Sequence, residues 1–145
     1  MILFSSEIEF EFRNKIKMNK LIIDAVSEKI FLMIISNDSI YNITHENTKI
    51  NYEKLTIIIN DFLLSKNIKI TDINSIYINQ GSGSFAGIRN SISVVKAFNV
   101  AKNIDYYCYN LDDFKDEKDL SHENIPNLCK KYKIKKNLIN PVYIS

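Results

Sequence analysis

The chain is 145 residues long, 46% hydrophobic and 25% charged, a balance that suits one globular domain and leaves little room for two full lobes. Its net charge of +2 is too mild to argue by itself for a nucleic acid or an anionic membrane as partner. Cys108 and Cys129 match no zinc spacing and no disulfide framework, and no apolar run approaches the ~18 residues of a membrane span. Glu7, Glu9 and Glu11 interrupt the start too early for a secretory signal, so a reducing cytoplasm is the expected compartment.

Residues 1–17 contain the strand-like alternation Glu7-Ile8-Glu9-Phe10-Glu11-Phe12, yet Met18 directly precedes the first convincing core strand. They read as an N-terminal extension, with translation starting at Met18 as one account and an added edge strand as the other. Leu21-Ile22-Ile23 running into Asp24 predicts a buried strand that ends in a carboxylate. Strands are predicted over 30–35 and 39–44, joined as a hairpin through Asn37-Asp38, both of which tolerate positive φ. A helix over 51–66, a strand over 75–79, a helix over 84–102 and a strand over 105–109 complete the series.

The order is β-β-β-α-β-α-β, a mixed five-stranded α/β sheet. Three antiparallel strands followed by parallel additions through helical crossovers describe a ribonuclease-H-like half-domain, which the actin-like ATPase (ASKHA) superfold uses twice. A Rossmann unit does not begin with such a meander. This places one domain over 18–111. Residues 112–145 open on Asp112-Asp113-Phe114-Lys115-Asp116-Glu117-Lys118-Asp119, which reads as a solvated linker. A short helix over 123–131 and an extended segment over 140–144 follow.

All three glycines of the chain fall in Gly81-Ser82-Gly83-Ser84-Phe85-Ala86-Gly87-Ile88-Arg89. Gly81 and Gly83 are expected to take φ values closed to other residues, and Gly87 to let a helix approach closely. Ser84 is placed to cap that helix. Such a turn can cradle a phosphate on free amides. The Walker spacing fails, however, with no Lys-Ser or Lys-Thr following. Gly81-x-Gly83-x-x-Ala86 satisfies the dinucleotide pattern with Asp112 downstream, but three strands precede it. A kinase-type glycine loop lacks its Val-Ala-Ile-Lys and His-Arg-Asp companions. A purely structural joint is the other reading.

These residues resemble the Gly-Pro-Gly-Ser-Phe-Thr-Gly-Leu/Val-Arg signature of the TsaB family, also called YeaZ or glycoprotease-like. Ile22-Ile23-Asp24 is similar to the family's Ile-Asp-Thr opening strand, and Thr71-Asp72-Ile73 precedes the fourth strand. Pro141-Val142-Tyr143-Ile144 is similar to its Pro-x-Tyr-Leu-Arg ending. The likeness covers 20 to about 113 and then the last few residues. Ser82 stands for the proline, Ala86 and Ala25 for threonines, and Ser145 for the terminal arginine.

The resemblance implies a non-catalytic subunit that binds and stabilises a TsaD catalytic subunit. TsaD threonylcarbamoylates the adenosine beside the anticodon of tRNAs reading codons that begin with A. It also implies a TsaE-like ATPase as a further partner, tRNA contact only within the complex, and ATP and metal on the partner subunits. Residues 112–145 then stand as a remnant of the family's second lobe.

The first connection, Ala25-Val26-Ser27-Glu28-Lys29, lacks the Asp-x-Gly-x-Thr type of phosphate hairpin. Asp24 is left as a metal-water ligand or as a remnant carboxylate. His45 and His122 belong to no HExxH motif and read as exposed loop residues, and no catalytic residue is assigned. Helical periodicity sends Tyr52, Leu55, Ile58, Ile59, Phe62 and Leu63 to the core, leaving Ile57, Asp61 and Leu64 outside. On the second helix Ile88, Val94, Val95 and Phe98 face the core, while Ala86, Ser93, Ala97 and Val100, with Asn90 beside them, form a small-residue strip opposite. Small residues let another helix approach closely. In the TsaB family this layer meets the helices of TsaD, and a homodimer through the same helices is the alternative occupant. A last reading takes Lys130, Lys131, Lys133, Lys135 and Lys136 as an RNA-binding tail.

Overall fold

The computed structural model describes residues 18–143, so the extension proposed for residues 1–17 lies outside the described residues. Strands β1 (Asn19–Asp24), β2 (Lys29–Ile35) and β3 (Ile40–Glu46) form an antiparallel meander. Helices α1 (Lys49–Glu53) and α2 (Leu55–Ser65) then carry the chain over to β4 (Ile73–Asn79), which runs parallel to β1. A three-residue strand β5 (Gly81–Gly83) leads into α3 (Phe85–Lys102), and β6 (Asp105–Tyr109) returns parallel to β4. The five-stranded sheet has the order β3-β2-β1-β4-β6.

Local chemistry accounts for most boundaries. The single helix expected over 51–66 is two, because Thr48 caps α1 through Oγ1, which accepts from the Asn51 amide at 3.1 Å, and the run breaks at Lys54. Asn103, in the left-handed region at φ 55°, stops α3. The β2–β3 hairpin does not use positive φ at Asn37 or Asp38 as expected. Its closing bond is the Ser36 amide to the Ser39 carbonyl at 2.8 Å, and among the described residues the left-handed non-glycine ones are Asn67, Asn103, Lys133 and Asn137.

Over β1, β2, β4 and β6 both faces of the sheet are buried, and the period of two decides which residue serves which face, whereas the edge strand β3 is half-buried or exposed throughout. Leu21, Ile23, Leu32, Ile34, Ile76, Ile78, Tyr106 and Cys108 face α2 and α3, where Leu55, Ile59, Phe62, Leu63, Val94, Val95 and Phe98 meet them. Ile22, Met33, Tyr77 and Tyr109 point the other way and pack against Phe114, Ile125, Leu128 and Cys129. The segment that covers this second face consists of the 3-10 turns Leu111–Phe114 and His122–Asn124 and helix α4 (Ile125–Lys131). The charge run expected as a solvated linker is therefore tied down. Its charged residues are mostly exposed, but Phe114 is fully buried and Glu117 pairs with Lys131 and accepts from Tyr132 Oη at 3.0 Å.

Cys108 and Cys129 lie on opposite faces, both buried, and burial pushes each thiol up to about 12. Thiol reagents at pH 8 are expected to leave both unmodified in the native chain and to label two per molecule once it unfolds. The unfolded thiols ionise first, so the stability they contribute is present below their ordinary value near 9.0 and is lost as pH climbs towards 12.

Candidate functional site

The C-terminal ends of β1 and β4 frame a cleft of about 360 Å³ lined by Asp24, Val26, Ser27, Asn79, Gly81, Ser82, Leu111 and Asp112. Asp24 shares a face with Ile22, so its carboxylate emerges on the side covered by 111–131, away from α2 and α3. There Asp24 Oδ2 lies 2.9 Å from His122 Nε2, and the His122 ring stacks on Phe31 at 4.0 Å. Asn79 Nδ2 donates to the same oxygen at 3.4 Å, and the Val26 amide to Oδ1 at 3.4 Å. Beside it the Tyr109 phenol is buried with no hydrogen-bond partner. Burial pushes its pKa well above the usual range, and the Asp24 and Cys129 charges add to that.

His122 is the residue that sequence reading missed. It is half-buried against Phe31 and Asp24, not an exposed loop histidine, and 98 residues separate it from its partner. His45 is also not in a loop, since it pairs with Ile30 inside β3. No sequence signal short of the completed sheet links Asp24 to His122. Among the described residues no group of three or more His, Cys, Asp or Glu side chains is placed to hold a metal ion.

The glycine turn sits at the edge of this cleft, and three of its amides are engaged inside the chain. The Gly81 amide donates to Asn79 Oδ1 at 3.1 Å, the Ser84 amide to the Val26 carbonyl at 3.0 Å, and the Gly87 amide to Ser84 Oγ at 3.3 Å. Ser84 is the N-cap that its position suggested. Gly81 takes φ 129°, whereas Gly83 has no positive φ and is small because the Val26 carbonyl crowds it. A Cβ on Gly87 would lie 1.7 Å from the Ala25 carbonyl oxygen, so this glycine lets α3 press onto the end of β1. Strand β7 (Val142–Tyr143) pairs in parallel with β5, which gives the segment expected merely to be extended a definite partner. Asp24 and Asp112 line the same cleft as the turn.

The opposite face of the molecule carries the helical surface. Ile57 and Leu64 on α2 are each 58% exposed, with Asp61 exposed between them. Ala86, Arg89, Ser93 and Ala97 are exposed along α3, Asn90 is half-buried, and Val100 is 85% exposed. Asn90 Nδ2 donates to the Ala86 carbonyl at 2.7 Å and Ser93 Oγ to the Arg89 carbonyl at 3.0 Å, which folds both side chains onto their own helix and keeps the strip low. A groove of about 620 Å³ opens between α1 and the first half of α3, with Tyr52, Phe85, Ala86 and Arg89 in its lining. The periodicity thus separated the inside of both helices from the outside correctly. In the lysine-rich segment Lys131 pairs with Glu117 and Lys136 with Asp105, while Lys130, Lys133 and Lys135 are exposed.

No family model matches the chain, and no curated protein matches it. Among solved structures it is similar to YeaZ from Pseudomonas aeruginosa, with a TM-score of 0.59 and 17% identity over 64% of this chain and 44% of that one. It is equally similar, at 0.59 and 17%, to an uncharacterized protein with similarity to peptidase YEAZ from Pseudomonas aeruginosa, of which it covers 43%. The chain therefore spans less than half the length of either structure. Fold and neighbours together define an α/β domain with a mixed five-stranded sheet and a YeaZ-like fold. No described helix is long and apolar enough to cross a membrane.

Proposed function

We propose that this chain is a TsaB-like scaffold, built on a ribonuclease-H-like half-domain, that binds and stabilises a TsaD-like catalytic subunit for threonylcarbamoylation of the tRNA adenosine next to the anticodon. The observation that carries the reading is the pair of exposed stripes, Ile57 and Leu64 on α2 beside Ala86, Ser93, Ala97 and Val100 on α3. Apolar and small residues side by side on two helices suit two further helices packed at the short end of the roughly 8–10 Å axial range. The YeaZ-like fold supports this choice of partner, and the glycine turn supports it by fixing the angle of α3. In this reading the chain works in the cytoplasm and is not itself an enzyme. A TsaE-like ATPase joins the complex, tRNA is met only there, and ATP and metal bind the partner subunits. Without the partner, the same helices pair two copies of the chain.

Ile57→Glu combined with Val100→Asp is expected to abolish co-purification with the cognate TsaD-like protein while leaving the circular dichroism spectrum and melting temperature near wild type. Both positions are exposed, so the folded monomer loses little. Retained co-purification sinks the interface.

The Asp24–His122 pair favours a second reading, a one-lobe nucleotide-binding or phosphoester-hydrolysing enzyme using Asp24 and the glycine turn. Titration calorimetry with Mg-ATP on the isolated chain separates the two, because the scaffold reading requires no tight nucleotide site and the enzyme reading requires one that Asp24→Asn weakens.

A further inference from the structure

Residues 136–143 reach three parts of the fold in succession. They first run beside β6, where Lys136 bridges Tyr107 and Asn137 adopts φ 60°. The Asn137 amide donates to the Tyr106 carbonyl at 2.7 Å, its Oδ1 accepts from the Tyr106 amide at 3.0 Å, and its Nδ2 donates to Asp105 Oδ1 at 3.0 Å. Ile139 then packs on the helix-side core. Next the Asn140 amide donates to Gln80 Oε1 at 2.8 Å, while Gln80 Nε2 donates to the Cys108 carbonyl at 3.3 Å. Gln80 is buried, 4% exposed, and immediately precedes the glycine turn. Finally β7 lies along the turn, matching Gly81 with Val142 and Gly83 with Tyr143.

A Gly-Ser-Gly strand has no apolar side chain to anchor it and a large conformational entropy to lose, so its shape must be imposed from outside. One side is held by the β1–β2 connection, through the Ser84–Val26 bond and the contact of Gly87 with Ala25. The other side is held by Gln80 and β7. Directly beyond the turn, the first residues of α3 (Phe85, Ala86, Arg89 and Asn90) line the groove on the helical surface.

We propose that residues 136–143 are a strap with docked and undocked states. Docked on Gln80 and β5, it orders the glycine turn and the first turn of α3; undocked, it loosens the lining of the groove without opening the sheet. Its effect on a partner rests on the reading of the helical face given above, whereas its effect on the turn does not.

Hydrogen exchange on the full chain tests this, comparing wild type with Asn140→Pro, which removes the N–H given to Gln80 and fixes φ at residue 140, and with deletion of residues 140–145. Amides of residues 83–90 are expected to exchange about ten-fold faster or more in both variants, while those of β1 and β4 keep their wild-type protection. Unchanged exchange over 83–90 in the deletion variant overturns the strap. So does a uniform acceleration that includes β1 and β4, which makes the segment an ordinary part of the core. Affinity for the TsaD-like protein, measured on the same variants, is expected to fall with the protection of 83–90. If wild type does not bind that protein at all, the partner reading fails and the exchange result still decides the strap.

Discussion

Replacing Gly87 by alanine is expected to destabilise the chain by about 3 kcal/mol, against every tendency of the helix it sits in. Helix propensity alone predicts a gain of about 1 kcal/mol, because alanine is the best helix former and glycine among the worst. The added methyl, however, would sit 1.7 Å from the Ala25 carbonyl oxygen and 2.8 Å from its carbonyl carbon. Those are backbone atoms at the end of β1, and Ala25 is itself fully buried, so no side chain can swing aside. Relief requires α3 to lift from the sheet, which strips contacts from Ile88, Val94 and Val95, all now buried beneath it. Steric overlap therefore outweighs propensity. Urea denaturation with an unchanged slope reads the difference directly. A midpoint equal to or above wild type would show that α3 does not rest on β1 through this glycine.

Phe114→Ala is expected to cost about 3–5 kcal/mol, the range for truncating a fully buried phenylalanine. Phe114 is 0% exposed, with its ring centroid 6.0 Å from that of Tyr109 and 5.4 Å from that of Tyr132. Were 112–119 a solvated linker, the same substitution would stay within about 0.5 kcal/mol. The two accounts thus differ by several kcal/mol at one residue. Because Phe114 pins the segment that brings His122 to Asp24, the variant is also expected to expose the second face of the sheet and raise binding of a hydrophobic dye. A midpoint near wild type with no added dye binding would return the segment to linker status.

The contrast between the glycine turn and the charge run shows where legibility ends. Three glycines gathered into seven residues, in a chain with none elsewhere, report a backbone requirement that holds whatever packs around it. The requirement was readable, and so were the φ of Gly81 and the close approach at Gly87, but the source at Gly83 was not. Gly81 needs its φ, whereas Gly83 and Gly87 need space, and that depends on where Val26 and Ala25 come to lie. In the charge run, eight residues with a single aromatic carry the polarity of a linker, and nothing local says that Phe114 has a cavity to fill. The clue lay elsewhere, in strands β1, β4 and β6, which are apolar at both parities and so need cover on both faces.

The sequence by itself determined the five strands of the main sheet and the inward and outward sides of α2 and α3, because periods of 2 and 3.6 act over a few residues and are set by side chains along one stretch of chain. It also placed Ser84 as a cap, the consequence of one hydroxyl near one amide. Only the tertiary structure decided what meets across distance. The pairing of His122 with Asp24, the cover that 111–131 lays over the second face, and the alignment of β7 with β5 all join residues tens of positions apart. Each of these depends on how strands stack and where a returning segment lands. Such contacts form when the sheet has already fixed both partners in space, and no local pattern carries them.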